Sequence, residues 1–256
     1  MRVLDLFSGI GGFSIGLERA GMQTVAFCEI EPFCRAVLKK HWPSVPCYDD
    51  IRTLTAERLS SDGIAADVIC GGFPCQDVSE VGSRAGIEGK QSGLWREMHR
   101  IICEIRPGYV IVENVTGLLD RGLERVLREL AESGFDAEWS VFPACALGAA
   151  HSRERVFLLA YPNKQRLQAS GPFGNGNDAS SHGGRERTEY IYSVAVAIGR
   201  KVGEAFASEP ELDRVAHGIP NRVDRIKALG NAVVPQIPEI IGRAIMAAEG
   251  QCVSSS

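Results

Sequence analysis

Cys75 stands in the stretch Gly71-Gly72-Phe73-Pro74-Cys75-Gln76, just after the apolar run Asp67–Cys70. That run reads as a short buried strand, so Cys75 falls on a loop at a strand's C-terminal end. The proline before it and the glycines around it fix the backbone and open space for a ligand. A lone cysteine is usually core, but one on such a loop is a candidate covalent nucleophile. Three charged groups could serve it. Glu113, in Glu113-Asn114-Val115, ends the run Tyr109–Glu113 on the same predicted sheet edge. It fits a converging acid and equally a strand-end cap. Arg153 and Arg155, in His151-Ser152-Arg153-Glu154-Arg155, are two apart and share one face of a strand. They fit a cleft that favours a thiolate, and equally a solvated charge run.

A second constellation lies at the N-terminus. Asp5-Leu6-Phe7-Ser8-Gly9-Ile10-Gly11-Gly12-Phe13 reads as a strand, a glycine loop and a helix. Glycines let a ligand approach the backbone, and the helix start offers free N–H groups. Glu29, at the end of the next strand, could take both ribose hydroxyls of a nucleoside. A tight strand–helix turn beside a solvated glutamate fits the same residues. Asp50, in Asp49-Asp50-Ile51, could accept from an exocyclic adenine amine or simply occupy a polar turn.

The elements that must position these groups alternate. Val3–Leu6, Thr24–Glu29, Asp67–Cys70 and Tyr109–Glu113 read as strands, with Glu138–Phe142 and Arg155–Ala160 as later ones. Phe13–Ala20, Pro32–His41, Leu94–Ile105 and Leu123–Ser133 read as helices. Proline opens the second, and glycines follow the first and last. Alternation of this kind predicts an α/β fold with a doubly wound, mostly parallel sheet over residues 1–160. Residues 161–224 change character, and 171–187 are rich in Gly, Asn, Ser and charge, as in a loop or disordered insert. Residues 225–250 return to order, with Gly230-Asn231-Ala232 leading into a helix over Val233–Ala248. A frayed tail is expected at Val253–Ser256.

Composition bounds the function classes. The 256 residues are 45% hydrophobic and 23% charged, which allows a sizeable core. No apolar run has the length of a membrane span, and the opening Met1–Phe7 lacks a secretory pattern, so a cytoplasmic protein is expected. The eight cysteines include no Cys-x-x-Cys pair, so neither zinc nor disulfides are expected. The net charge of −4 does not advertise a nucleic-acid binder. Residues 161–227, with 10 Lys+Arg against 8 Asp+Glu, are the more basic part.

Taken in order, these blocks resemble the cytosine-C5 DNA methyltransferases of bacterial restriction–modification systems and phages, over residues 1–160 and 225–245. The resemblance implies a methyltransferase fold binding S-adenosylmethionine, with no metal. It implies a donor pocket from Phe7, Ser8, Gly9, Ile10, Gly11 and Gly12, with Glu29 and Ile30 at the ribose and Asp50 and Ile51 at the adenine. Pro74 and Leu94 would line it, Leu94 within the block Ser92–Glu97, and Asn231, Ala232 and Val233 would close it. Cys75 would be the nucleophile, Glu113 would contact the cytosine ring nitrogen and amine, and Arg153 and Arg155 would hold the base. Double-stranded DNA is the implied substrate, with a restriction endonuclease of the same site as a possible partner and a monomeric state expected.

Departures from the pattern sharpen what to expect. His151 stands where the family has the Gln of Gln-x-Arg-x-Arg, and Asn231-Ala232-Val233 where it has Asn-Ser-Val. The helix of Arg-Glu-x-x-Arg-Leu-Gln-Gly-Phe type that ends the family's target-recognition region has no counterpart. Only residues 161–224 remain for that role, so short or relaxed specificity, or weak activity, is expected. A silent binder of S-adenosylmethionine or DNA is the alternative from another class. The tRNA-methylating branch is another, but it has Pro-Pro-Cys-Gln where this chain has Phe73-Pro74-Cys75-Gln76.

Overall fold

A computed structural model describes residues 1–74, 93–147, 153–163 and 222–253. Cys75, Ser92, His151 and the stretch 171–187 lie outside them. The strands are β1 (Arg2–Leu6), β2 (Gln23–Cys28), β3 (Cys47–Tyr48), β4 (Val68–Gly71), β5 (Tyr109–Val115), β6 (Phe135–Pro143) and β7 (Glu154–Pro162). The helices are α1 (Gly12–Arg19), α2 (Pro32–His41), α3 (Ala56–Ser61), α4 (Leu94–Ile105), α5 (Leu118–Arg121), α6 (Leu123–Glu132), α7 (Arg222–Asn231) and α8 (Gln236–Val253). The strands form one sheet in the order β3-β2-β1-β4-β5-β7-β6. The first five pair in parallel, while β7 runs antiparallel between β5 and β6. The doubly wound, mostly parallel α/β sheet expected from the alternation is therefore present.

Period-two alternation splits the core across the sheet. Leu4, Leu6, Ile69, Val110 and Val112 face one side, where α4 and α6 bury Trp95, Met98, Ile101, Ile102, Val126 and Leu130. Val3, Val68, Cys70, Tyr109 and Ile111 face the other, against Phe13 and Leu17 of α1 and Ile237, Ile241 and Ile245 of α8. Both faces are covered, so the central strands read as continuous apolar runs.

Most expected boundaries shift by a residue or two, the last helix runs on to Val253, which was expected to fray, and other shifts bear on the site. β5 continues to Val115 because β7 pairs with it as far as Val115↔Arg155, so Glu113 lies within the strand. β6 starts at Phe135, earlier than its apolar pattern suggests, because it pairs with β7 along its whole length. The last helix starts at Gln236, not Val233. Val233 and Val234 instead cross α1 as a linker, with Val233 O 2.5 Å from where a Cβ on Gly12 would sit. Pro238 falls in the first turn of α8, where its missing N–H costs no helical bond. No helix among the described residues is long and apolar enough to cross a membrane.

The close packing of α1 on α8 depends on Gly16. A Cβ there would sit 2.2 Å from Pro235 O and 2.8 Å from Glu239 N, both backbone atoms. Gly16→Ala is expected to destabilise the fold by about 2 kcal/mol and lower the melting temperature by roughly 5 °C. Gly250→Ala, in the same helix pair with nothing within 4 Å of its Cβ, is expected to be neutral or slightly stabilising. Thermal denaturation of both variants checks this, and equal effects would refute it.

Candidate active site

The chain order of the strands reverses between β1 and β4. At such a switch point the loops leave in opposite directions and open a crevice at the carboxyl edge. A cavity of about 460 Å³ lies there, a volume suited to a small-molecule ligand. Its lining includes Phe7, Gly9, Glu29, Ile30, Asp50, Ile51, Pro74, Leu94, Glu113, Arg153, Arg155 and Asn231. Two constellations that looked separate in the sequence thus share one cavity. Along the sheet, Glu29 follows β2 and Glu113 lies in β5, three strand spacings apart, or about 14 Å. Between them β4 delivers Gly72, Phe73 and Pro74, the last residue before Cys75.

The nucleoside-type end is built by the glycine loop and β2. Glu29 is buried, and each of its carboxylate oxygens accepts a backbone N–H, Oε2 from Gly9 and Oε1 from Glu31, both at 2.7 Å. Each oxygen keeps a lone pair for a ligand hydroxyl. Gly9 has φ +54° and nothing within 4 Å of an added Cβ, so its backbone faces open space. Phe7 holds the left-handed region at φ 52°, rare for a large non-glycine residue and concentrated at ligand sites. Arg35 Nη1 donates to the carbonyls of Glu29 and Ile30, fixing that turn from α2. Asp50 Oδ1 accepts from the Arg52 backbone N–H and Nε at 3.0 Å each. Those bonds, the backbone one foremost, hold the Asp50 carboxyl below its usual range. Arg52 was not among the residues singled out from sequence, although its place two after Asp50 was the available signal.

Several expected residues do not line the cavity but support it. The Ser8 hydroxyl donates to Asp5 O at 2.6 Å, which pins the loop to β1. Gly11 lies under Trp42 and Gly12 under Val233, and each lacks room for a Cβ. Ile10 and Ala232 are likewise outside the lining.

The opposite end is an ion-pair cluster. Arg155 Nε lies 2.9 Å from Glu113 Oε1, and Glu113 is buried. Burial pushes the Glu113 carboxyl up, while Arg155 and Arg153 pull against that shift. Arg153 is pulled down by burial and by the Arg155 charge, and its Nε has no hydrogen-bond partner. A half-paired guanidinium pair facing one carboxyl suits a ligand that brings acceptors of its own. Gly72 makes the approach of β4 possible, since a Cβ there would lie 2.7 Å from Glu113 Oε2. Asn114 adds a brace that the Glu-Asn-Val block only hinted at: its Nδ2 donates to Phe73 O at 3.2 Å. Asp224 and Ala228 of α7 also line the cavity and had no sequence signal of their own.

Beneath the glycine loop, Asp5 is fully buried. Its Oδ2 accepts from the Ser14 hydroxyl at 2.7 Å, and its Oδ1 has no partner. Burial raises its carboxyl to about 7, only partly offset by Ser14 and the neighbouring Cys70 thiol. The neutral form is therefore the native one, and ionisation costs stability. That stability is complete below about pH 4 and is lost as pH rises towards about 7. Asp5→Asn is expected to flatten this slope, raising the melting temperature by several degrees at pH 8 and leaving it nearly unchanged at pH 4. Parallel melts across pH check this, and an unchanged slope would refute it.

Among the described residues no group of three or more His, Cys, Asp or Glu side chains could hold a metal ion. The described part of the cavity joins a buried carboxylate with backbone donors at one end to a carboxyl–arginine cluster at the other.

Known proteins resemble this chain in sequence and in fold. Type II methyltransferase M2.BsuMI of Bacillus subtilis is 38% identical over 168 residues, covering 62% of this chain and 42% of that protein. Type II methyltransferase M.FnuDI of Fusobacterium nucleatum is 34% identical over 166 residues, covering 63% and 47%. The chain thus spans less than half the length of these curated relatives. Among solved structures, an E. coli prophage protein assigned as a DNA modification methyltransferase has the same fold, with a TM-score of 0.67 at 17% identity over 98% of this chain and 99% of that one. Residues 1–200, which carry both ends of the cavity and the Cys75 loop, match the C-5 cytosine-specific DNA methylases, and the chain belongs to that family.

Proposed function

We propose that the chain transfers a methyl group from S-adenosylmethionine to carbon 5 of a cytosine in double-stranded DNA, with Cys75 as covalent nucleophile. The observation that carries this reading is one cavity with a nucleoside-type end at β1–β3 and Glu113 with two arginines at β5–β7, with Pro74, the residue before Cys75 in the sequence, lining it after β4. The residues fit the donor: Glu29 has lone pairs for the ribose hydroxyls and Asp50 has a free Oδ2 for the adenine amine. Phe7, Ile30, Ile51, Pro74 and Leu94 supply apolar walls, and Asn231 closes them. Bound S-adenosylmethionine supplies an electrophilic methyl group on a cationic sulfur.

The protein's own task is to make carbon 5 nucleophilic. The Cys75 thiolate forms a bond to carbon 6, and the displaced electron pair builds an enamine with density at carbon 5. Glu113 hydrogen-bonds ring nitrogen 3 and the amine and supplies a proton as charge develops there. Arg153 and Arg155 hold the base and favour the thiolate. Once carbon 5 carries the methyl group, its proton leaves to a base. The pair returns to the ring, the carbon–sulfur bond breaks, and Cys75 is regenerated. A stacked cytosine cannot reach this cavity, so the base must flip out of the duplex. Target choice is assigned to residues 161–224, between a catalytic unit at 1–160 and the returning segment 225–250. The chain would act as a monomer, and the Type II names of its relatives suggest a cognate restriction endonuclease as partner.

Expression in a host lacking cytosine methylation, followed by bisulfite sequencing of plasmid DNA, tests the reading. Protected cytosines at a recurring short sequence are expected. A folded chain that binds the donor yet leaves every cytosine unprotected would overturn it in favour of a silent binder.

A further inference from the structure

Trp42 lies outside the cavity lining, yet it touches the part of the chain that shapes the donor end. It caps α2, its backbone N–H donating to Leu38 O at 2.8 Å. Its ring lies directly on the glycine loop: a Cβ on Gly11 would sit 2.7 Å from both Cη2 and Cζ3. Gly11 has φ +87°, so the loop is held in a conformation that excludes other residues both by backbone geometry and by this ring. The indole Nε1 donates to both Glu18 oxygens, at 2.9 and 3.0 Å, anchoring the ring to α1. An edge contact to Phe27 of β2, with centroids 5.3 Å apart, completes its seat. The same α2 contributes Phe33 and Cys34 to the cavity wall at its other end.

We propose that Trp42 is a positioning residue for the donor pocket: clamped between Glu18 and Gly11, it fixes the glycine loop relative to α2, and so Gly9 relative to Glu29. The proposal rests on the donor reading above. The physical argument is preorganisation. Gly9 N–H meets Glu29 Oε2 only while the loop stays down, and a loop free to lift would have to be reordered by each incoming ligand. A small side chain at position 42 leaves the loop without its cover, and phenylalanine loses both the Cη2 and Cζ3 atoms that meet Gly11 and the N–H that meets Glu18.

Equilibrium dialysis of S-adenosylmethionine against the full chain provides the test. Trp42→Leu is expected to weaken donor binding about 10-fold, with kcat at saturating donor within about 2-fold of the parent. Glu18→Gln is expected to weaken it only about 2- to 3-fold, because it keeps the indole on Gly11 and an acceptor for Nε1, and Trp42→Phe is expected to fall between Glu18→Gln and Trp42→Leu. Gly242→Ala serves as the stability control, because its Cβ would crowd Ala20 and Leu17 where α8 packs on α1, without touching Trp42 or the residues of the donor wall. Donor affinity unchanged in Trp42→Leu would overturn the proposal. So would an equal loss of affinity in Gly242→Ala, which would reduce Trp42 to a stability role. Absence of donor binding by the parent chain would instead overturn the donor reading, and this proposal with it.

Discussion

Cys75→Ala is expected to lower methyl transfer by about 10⁴-fold or more while leaving donor affinity within about 2-fold of the parent. Both halves of this expectation matter. Without a sulfur adding at carbon 6, carbon 5 of cytosine has too little electron density to displace a methyl group from sulfur. Among the described residues, Glu113 is engaged with Arg155, and Cys28 of the cavity lining is pushed up to about 12 by burial and by the nearby Cys47 and Glu29 groups. The proposed donor contacts, in contrast, come chiefly from the ends of β1, β2 and β3 and from α7, with Pro74 and Leu94 completing the wall through groups that the Cys75→Ala change leaves in place. Cys75→Ser should resemble Cys75→Ala, since a hydroxyl is a far weaker nucleophile near neutral pH. Single-turnover formation of 5-methylcytosine, measured beside donor dialysis, separates the two effects. Retention of more than about a tenth of the parent rate by the alanine variant would remove Cys75 from the mechanism.

The parallel strands β1, β2, β4 and β5 were legible because each is a short, largely buried apolar run bounded by helices with ordinary start and stop signals, whereas the two half-buried residues of edge strand β3 carry no such signal. Pro32 opening α2 and Gly134 following α6 are instances. The two ends of the cavity were legible as motifs, and parallel topology explains why they meet: it carries every strand's C-terminal end to one edge. What sequence did not reveal depends on contacts far apart in the chain. The Gly11–Trp42 stacking, the Asn114–Phe73 bond and the Val233 crossing over Gly12 leave no periodic trace. The pair Val233-Val234 imitates the start of a helical face, but its apolar surface packs as a linker against the α1 side of the core. The six residues of α3 are too few for periodicity to register, although Thr55, whose side chain accepts from Arg58 N, is an ordinary N-cap.

Glu113→Gln is the second large effect. The variant is expected to lose about 10²- to 10⁴-fold in kcat, with donor affinity nearly unchanged. Glutamine preserves the volume and can still accept from Arg155, but it cannot deliver a proton to ring nitrogen 3. It also leaves Arg153 and Arg155 facing a neutral group in a site where burial already pulls the Arg153 guanidinium down. Loss of the buried anion is therefore expected to lower the melting temperature as well, because the partner charge of a broken buried pair remains. The pH dependence separates the catalytic part from the structural part. Burial raises the Glu113 carboxyl above its ordinary range, so its protonated form persists to higher pH than a solvent-exposed carboxyl allows. If that proton is used, kcat in the parent declines as pH rises through the raised value, and the decline disappears in the glutamine variant. A Glu113→Gln enzyme with a parent-like rate and a parent-like alkaline limb would assign the proton to another group and leave Glu113 only the task of orienting Arg155.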